Sequence, residues 1–294
     1  MRLEGIIPPI LTPFKEGGEV DFDRLQKLVE FLKPYVNGFY VCGTYGSGVL
    51  MNVDERKKVF EVISECAGNP YQVVAHVGST NLRDSLMLAE HAEEHQASAV
   101  AAVPPFYFHH DEETLFQYFS DLINAVSIPL YVYNNPSATG NHVSIELINR
   151  LADIGLNGVK DSTFDIGETY KVMRNVTKKD FDVVIGSESL LLPAFIMGSQ
   201  ACISGLANAL PELINELYKK ARSYKFSEAK YLQTKVLRMW DISHYGPSNP
   251  TAYAMLQIRG IDVGYPRKPL LPLRKEIYSK VKIAMQETES IWNI

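Results

Sequence analysis

Short apolar runs alternate with amphipathic stretches along most of this chain, at intervals of about 25 to 30 residues. The apolar runs predict strands over 5–11, 38–42, 72–77, 98–103, 129–133, 156–160, 182–186 and 201–205. Helical patterns over 21–34, 53–67, 81–95, 112–126, 144–153, 165–176, 188–198 and 210–222 follow them in turn. The first is typical. Asp21 can cap it, Leu25, Leu28, Val29 and Leu32 share one helical face, and Pro34 ends the pattern. The repeat is one of structure, not of sequence.

Eight strands, each followed by a helix, is the count of a (β/α)8 TIM barrel, and about 220 residues lies within that fold's size range. An open doubly wound sheet is the competing arrangement. No Gly-rich dinucleotide fingerprint follows the first strand, which disfavours it. Beyond residue 222 the strand pattern stops and helical stretches remain over 225–244, 249–259 and 274–288. They are too poor in core residues to stand alone. The expected organisation is a catalytic barrel over 1–222 with C-terminal helices, 223–294, packed on it as an appendage.

Composition narrows the function classes. The chain is 46% apolar and 21% charged, ordinary for a soluble globular protein, and its net charge is −5. Lysines and arginines are dispersed, which argues against a nucleic-acid partner. No apolar run reaches the roughly 20 residues of a membrane helix. The opening Met1-Arg2-Leu3-Glu4 leads straight into a strand pattern and reads as lacking a leader segment. Cys42, Cys66 and Cys202 are odd in number and have no CxxC spacing, so they read as reduced, buried thiols in a cytoplasmic protein.

In a barrel of this kind the active site lies at the C-terminal ends of the strands. There the chain places Gly43-Thr44-Tyr45-Gly46-Ser47-Gly48, Pro104-Pro105-Phe106-Tyr107, Tyr133, Lys160, Gly186-Ser187-Glu188 and Ser204-Gly205. Alternation puts Leu156, Gly158 and Lys160 on one face of the sixth strand and Val159 on the other. With Val159 outward, Lys160 points into the barrel and Gly158 leaves room beneath it. A desolvated lysine has a lowered pKa and a larger neutral fraction, as a nucleophilic amine requires. Tyr133 on the neighbouring strand supplies a proton shuttle, so the pair points to Schiff-base chemistry on a ketone. The competing reading is a strand-end lysine paired with Asp161 or exposed to water.

The three glycines of 43–48 allow a backbone nest for a carboxylate, although tight turns use glycine for steric reasons alone. The terminal Gly-Lys-Ser/Thr of a P-loop is absent. His91 and His95 have the i, i+4 spacing of a metal pair but fall on a helix face expected in solvent. His76 reads as a satisfied core histidine. His109 and His110 read either as loop surface or as substrate contacts. No metal site is expected.

Taken in order, Pro9 to Phe14, Gly43-Thr44-Tyr45-Gly46, Tyr133-Asn134-Asn135-Pro136, Gly158-Val159-Lys160-Asp161-Ser162 and Gly186-Ser187 resemble the dihydrodipicolinate synthase and N-acetylneuraminate lyase superfamily of pyruvate-dependent class I aldolases. The resemblance spans essentially the whole chain. It implies that Lys160 forms the imine and Tyr133 moves the proton. Thr44 would hold Tyr133 and, with the amide of Tyr45, receive the pyruvyl carboxylate. Asn134, Asn135, Ser162, Gly186, Ser187 and Glu188 would line the pocket. Tyr107 matches a tyrosine that in the synthases reaches into a neighbouring subunit's site, which implies a homotetramer. No cofactor is implied, because the lysine imine is itself the electron sink.

Departures from the synthase pattern indicate the branch. The synthases usually carry an arginine two residues after the proline of the tyrosine motif, where it binds a substrate carboxylate. Here that place is Ala138. The Pro136-Ser137-Ala138-Thr139-Gly140 run, the Gly46-Ser47-Gly48 turn and the late Gly264-Tyr265-Pro266-Arg267-Lys268-Pro269 resemble archaeal 2-keto-3-deoxygluconate aldolases of the Entner–Doudoroff type. The expectation is reversible cleavage of 2-keto-3-deoxygluconate to pyruvate and glyceraldehyde. His110 and Ser243 stand near places where some of those aldolases carry phosphate-binding arginines, so the unphosphorylated sugar acid is expected to be preferred. The rivals are a sibling lyase or synthase, a pyruvate-binding barrel without turnover, and a metal-dependent aldolase.

Overall fold

The computed structural model describes residues 2–292. Its eight parallel strands are β1 (Gly5–Ile6), β2 (Gly38–Val41), β3 (Gln72–His76), β4 (Ala99–Ala102), β5 (Leu130–Asn134), β6 (Gly158–Asp161), β7 (Asp182–Ile185) and β8 (Ala201–Cys202). They lie in the order β1-β8-β7-β6-β5-β4-β3-β2. The seam between β1 and β2 has no regular ladder, because Pro8 has no N–H to donate toward β2. Three bonds close it instead. The N–H of Asn37 donates to Ile6 (2.8 Å), that of Tyr40 to Pro8 (2.9 Å), and that of Ile10 to the Tyr40 carbonyl (3.1 Å). The expected strand over 5–11 therefore shortens to Gly5–Ile6, while its path is kept.

The helices are α1 (Phe22–Leu32), α2 (Val53–Ala67), α3 (Leu82–Glu94), α4 (Glu112–Ala125), α5 (Pro136–Thr139), α6 (Ile145–Ile154), α7 (Ile166–Asn175), α8 (Leu191–Ile196), α9 (Pro211–Arg222), α10 (Phe226–Ser243), α11 (Ser248–Ile258), α12 (Lys275–Glu287) and α13 (Glu289–Trp292). Polar caps start many of them. Asp21, Asn81, Asp111, Ser144 and Asp165 each accept a bond from a first-turn N–H, and Asn52 forms a reciprocal capping box with Glu55. The helix expected over 188–198 becomes a 3-10 turn (Glu188–Leu190) and the short α8. The single turn α5 was not legible in the pattern.

Strand alternation sorts the apolar residues into two cores. Ile7, Tyr40, Val74, Ala101, Tyr131, Tyr133, Val184 and Ile203 fill the barrel interior. Val41, Val73, Val100, Val132, Val159 and Ile185 face the helical layer. Leu156 departs from expectation. It precedes β6, so it packs with the helical layer and not beneath Lys160. The cysteines are free. Cys42 and Cys202 are buried, but Cys66 is only partly so.

The C-terminal helices are bound to the barrel by polar ties as well as apolar ones. Gln233 of α10 accepts from the N–H of Leu192 (3.0 Å) and donates to the Glu188 carbonyl (3.0 Å). The Tyr253 hydroxyl of α11 donates to the Thr12 carbonyl (2.6 Å). Among the described residues no helix is long and apolar enough to cross a membrane.

Candidate active site

Tyr133 and Lys160 are register partners across β5 and β6. Both point inward, and Lys160 is 3% exposed. Its amine lies 3.5 Å from the centre of the Tyr133 ring and 4.3 Å from the centre of the Tyr40 ring. Two aromatic rings therefore flank the buried amine, at distances where a positive charge on it would be attracted to them. Burial lowers the Lys160 pKa, and the charges of Tyr133 and Glu188 oppose that only in part. Burial alone would raise the Tyr133 phenol, but the Lys160 charge and contacts from Thr44, Lys160 and Asn135 outweigh it and set the phenol below its ordinary value. The Asn135 amide donates to the Tyr133 oxygen at 3.1 Å. The two shifts are linked, since the phenol is lowered chiefly by a charge on Lys160, and the pair joins a buried amine to a phenol placed to exchange protons with it. The reading of Lys160 as an exposed strand-end residue is excluded by its burial.

Two glycines make this arrangement possible. A β-carbon on Gly186 would fall 2.2 Å from Ser162 Oγ and 3.3 Å from Lys160 Cε. One on Gly158 would fall 2.5 Å from the Tyr131 ring, so the space beneath Lys160 is taken by that ring.

The expected pocket residues divide. Ser162 is buried beside Gly186, its Oγ 3.5 Å from the Gly186 carbonyl. Ser187 is buried and its hydroxyl has no partner among the described residues. Glu188 is already half engaged. Its Oε1 accepts from Ser204 (3.0 Å) and from the N–H of Leu206 (3.1 Å). Thr44 stands exposed at the mouth. The Tyr45 ring reaches the turn that follows β8, where a β-carbon on Gly205 would fall 2.3 Å from its Cζ. Burial, reinforced by Glu188, raises the Tyr45 phenol.

Two expected residues lie elsewhere. Asn134 is on the outward face of β5, where its amide both donates to and accepts from the backbone of Val143 (3.3 and 3.2 Å). The alternation that turns Tyr133 inward turns Asn134 out. Tyr107 is 86% exposed at φ 83° and packs edge-on against Phe108, away from the site of its own chain.

Sequence reasoning missed Tyr40, whose inward position follows from the same period of two. It also missed Asn249, which α11 brings to the mouth. His76 is buried as expected but only half satisfied. Its Nδ1 is bonded to the Cys42 carbonyl (3.1 Å), and Nε2 has no partner among the described residues. Burial, with Arg56 and Lys160, lowers its pKa and keeps it neutral. His91 does not lie on a solvated face. It is buried, 3.1 Å from Glu61 and stacked on His95. Glu61, His91 and His95 could approach one cation in the outer helical layer, but Glu61 is shared with Lys58, and His95 Nδ1 is bonded to the His91 carbonyl.

A cavity of about 370 Å³ adjoins the pair through Thr44, His76 and Asn135, while Lys160 and Tyr133 themselves do not line it. Thr44, His76, Asn135, Ala138, Thr139, Ser248 and Asn249 contribute to its walls together with apolar residues, and none of its lining residues is an aspartate, glutamate, lysine or arginine.

Comparison with known proteins identifies the family. The dihydrodipicolinate synthetase family matches residues 2–288. A 4-hydroxy-tetrahydrodipicolinate synthase of Archaeoglobus fulgidus is 31% identical, with 98% of this chain and 99% of that one aligned. An N-acetylneuraminate lyase of Rhizobium meliloti is 30% identical over 92% of this chain and 90% of its own. A variant of the Sulfolobus solfataricus 2-keto-3-deoxygluconate aldolase superimposes with a TM-score of 0.91 at 26% identity, covering 97% of this chain and 96% of its own. The chain belongs to the dihydrodipicolinate synthetase family, within the superfamily of pyruvate-dependent class I aldolases.

Proposed function

We propose that the protein reversibly cleaves 2-keto-3-deoxygluconate to pyruvate and glyceraldehyde and prefers the unphosphorylated sugar acid. Neutral Lys160 adds to the C2 ketone, and loss of water leaves a protonated imine. That imine is an electron sink beside C3. Tyr133, as phenolate, takes the C4 hydroxyl proton, the C3–C4 bond breaks, and glyceraldehyde leaves. The remaining enamine is protonated at C3, and hydrolysis of the imine releases pyruvate and regenerates Lys160. Thr44 and the Tyr45 amide receive the carboxylate, and Ser162, Ser187 and the free edge of Glu188 meet hydroxyls. Asn135 holds the phenol.

The observation that carries the choice of aldehyde is the uncharged wall of the cavity, with Ala138 in it. A carboxylate-bearing aldehyde would enter this wall without a cation to pair with. The names of several relatives favour the rival reading, condensation with aspartate semialdehyde. Ser243 is buried in α10 with its hydroxyl on the Trp240 carbonyl, and neither it nor His110 lines the cavity, which supports weak use of a phosphorylated substrate. The exposed Tyr107 supports a homotetramer in which a neighbouring subunit covers it. Measuring condensation of pyruvate with glyceraldehyde, aspartate semialdehyde and N-acetylmannosamine tests the assignment, and faster reaction with either of the last two overturns it. Comparable turnover of the free and 6-phosphorylated sugar acids would overturn the stated preference.

A further inference from the structure

The loop between β2 and α2 has its carbonyls held by side chains from three other parts of the chain. His76 Nδ1 binds the carbonyl of Cys42 at 3.1 Å. The Thr12 hydroxyl donates to Gly46 at 2.7 Å. Asn249, at the start of α11, takes the largest share. Its Nδ2 donates to the Tyr45 carbonyl at 2.8 Å and lies 3.4 Å from the Thr44 carbonyl and 3.3 Å from Ser47 Oγ. The N–H groups of Thr44, Tyr45 and Gly46 donate to no group of the described chain. With their carbonyls tied back, these amides remain free to donate to an anion.

The loop needs such ties. Cys42 and Ser47 are both in the left-handed region, at φ 59° and 54°, which side-chain-bearing residues rarely adopt. A loop strained at two points relaxes unless its surroundings fix it. Asn249 is 7% exposed, and its three acceptors define which way its amide faces. It is also the tie that comes from the C-terminal helices.

We propose that Asn249 is a positioning residue that holds the backbone of Thr44 and Tyr45 in the conformation that receives the substrate carboxylate. The C-terminal helices are on this view part of the catalytic apparatus. Asn249 touches no reacting atom and acts through the loop. The proposal rests on the pyruvate-imine reading above.

The test is borohydride reduction of the full chain at graded pyruvate concentrations, read as the mass of the pyruvyl adduct on the Lys160 peptide. Wild type, Asn249→Leu and Asn249→Asp are compared, with melting temperatures recorded. Leucine keeps the volume without the donor. Aspartate keeps the shape, lacks the donor and repels both the carbonyls and the incoming carboxylate. Half-maximal trapping is expected to need about tenfold more pyruvate in Asn249→Leu, equivalent to about 1.4 kcal/mol, and more again in Asn249→Asp. The KM for glyceraldehyde should change less than the pyruvate dependence, because the cavity that takes the aldehyde is also walled by Ala138 and Thr139, which Asn249 does not hold. Unchanged pyruvate dependence in a folded variant, or equal loss toward both substrates, overturns the proposal. A wild-type protein that pyruvate does not trap overturns the imine reading instead, and the positioning role with it.

Discussion

The Tyr131 ring occupies the space that a side chain at residue 158 would fill. A β-carbon on Gly158 would fall 2.5 Å from Tyr131 Cε1 and 2.6 Å from the Asp182 carbonyl. Neither neighbour can yield easily. The Tyr131 hydroxyl donates to Asp182 (2.9 Å), which also accepts from the N–H of Leu3 (2.9 Å), and the second contact is backbone of β7. Gly158→Ala is therefore expected to destabilise the fold by about 1–3 kcal/mol through overpacking. Because β6 must shift and Lys160 shifts with it, kcat should fall about 10- to 100-fold. Denaturant melts together with steady-state kinetics check both. A stable and fully active Gly158→Ala would show that the space beneath Lys160 is slack.

Lys160→Met should abolish the borohydride adduct and with it turnover. The stability effect has the opposite sign and depends on pH. Burial lowers the folded pKa of Lys160 below its ordinary 10.5. The burial penalty is fully present below the folded pKa, shrinks as pH rises through it, and vanishes above the unfolded value. Lys160→Met should thus be more stable than wild type near neutrality and lose that advantage as pH climbs toward 10.5. A pH series of chemical melts measures the difference. An advantage that grows with pH would contradict the assigned direction. By the same shift, the rate of imine formation should rise with pH and level off below 10.5.

Tyr133→Phe keeps the ring under the Lys160 amine and removes the oxygen that Asn135 holds. The imine should still form, so the pyruvate adduct persists. Cleavage should slow by about 10²- to 10⁴-fold, the usual scale for a lost general base. Rapid cleavage by this variant, measured against its own trapped fraction, would place the proton transfer elsewhere.

The parts legible in the sequence share a physical origin. Strand period two placed Lys160 inside and Val159 outside, because burial of an alternating strand admits only one register. The same rule applied to β2 and β5 would have turned Tyr40 inward and Asn134 outward, so those two were readable and went unread. Leu156 was misplaced because the rule holds only within the strand, and β6 begins at Gly158. Asn249 and Thr12 were not readable. Their acceptors lie more than thirty residues away, and in the case of Asn249 more than two hundred. No local pattern records a side chain whose purpose is another segment's carbonyl. His91 was misread for a similar reason, since its burial depends on Glu61 and Phe60 of the neighbouring helix.

Ala138 offers a direct way to change the aldehyde. It lies in α5 on the wall of the cavity and is itself exposed, so a longer side chain meets no core there. Ala138→Arg should leave the melting temperature nearly unchanged, as surface substitutions usually do. The guanidinium would give an otherwise uncharged wall one fork for a carboxylate. A charge-assisted hydrogen bond contributes about 1.5–3 kcal/mol, so kcat/KM toward aspartate semialdehyde should rise roughly 10- to 100-fold. Glyceraldehyde has no anionic group to gain from the change and loses volume in the cavity, so its kcat/KM should fall. The pyruvate step, which occurs below at Lys160, should be untouched, and half-maximal borohydride trapping should need the same pyruvate concentration. Competition between the two aldehydes in one assay gives the ratio directly. A ratio that does not move toward aspartate semialdehyde would mean that residue 138 does not meet the aldehyde, and that the uncharged wall is not what selects it.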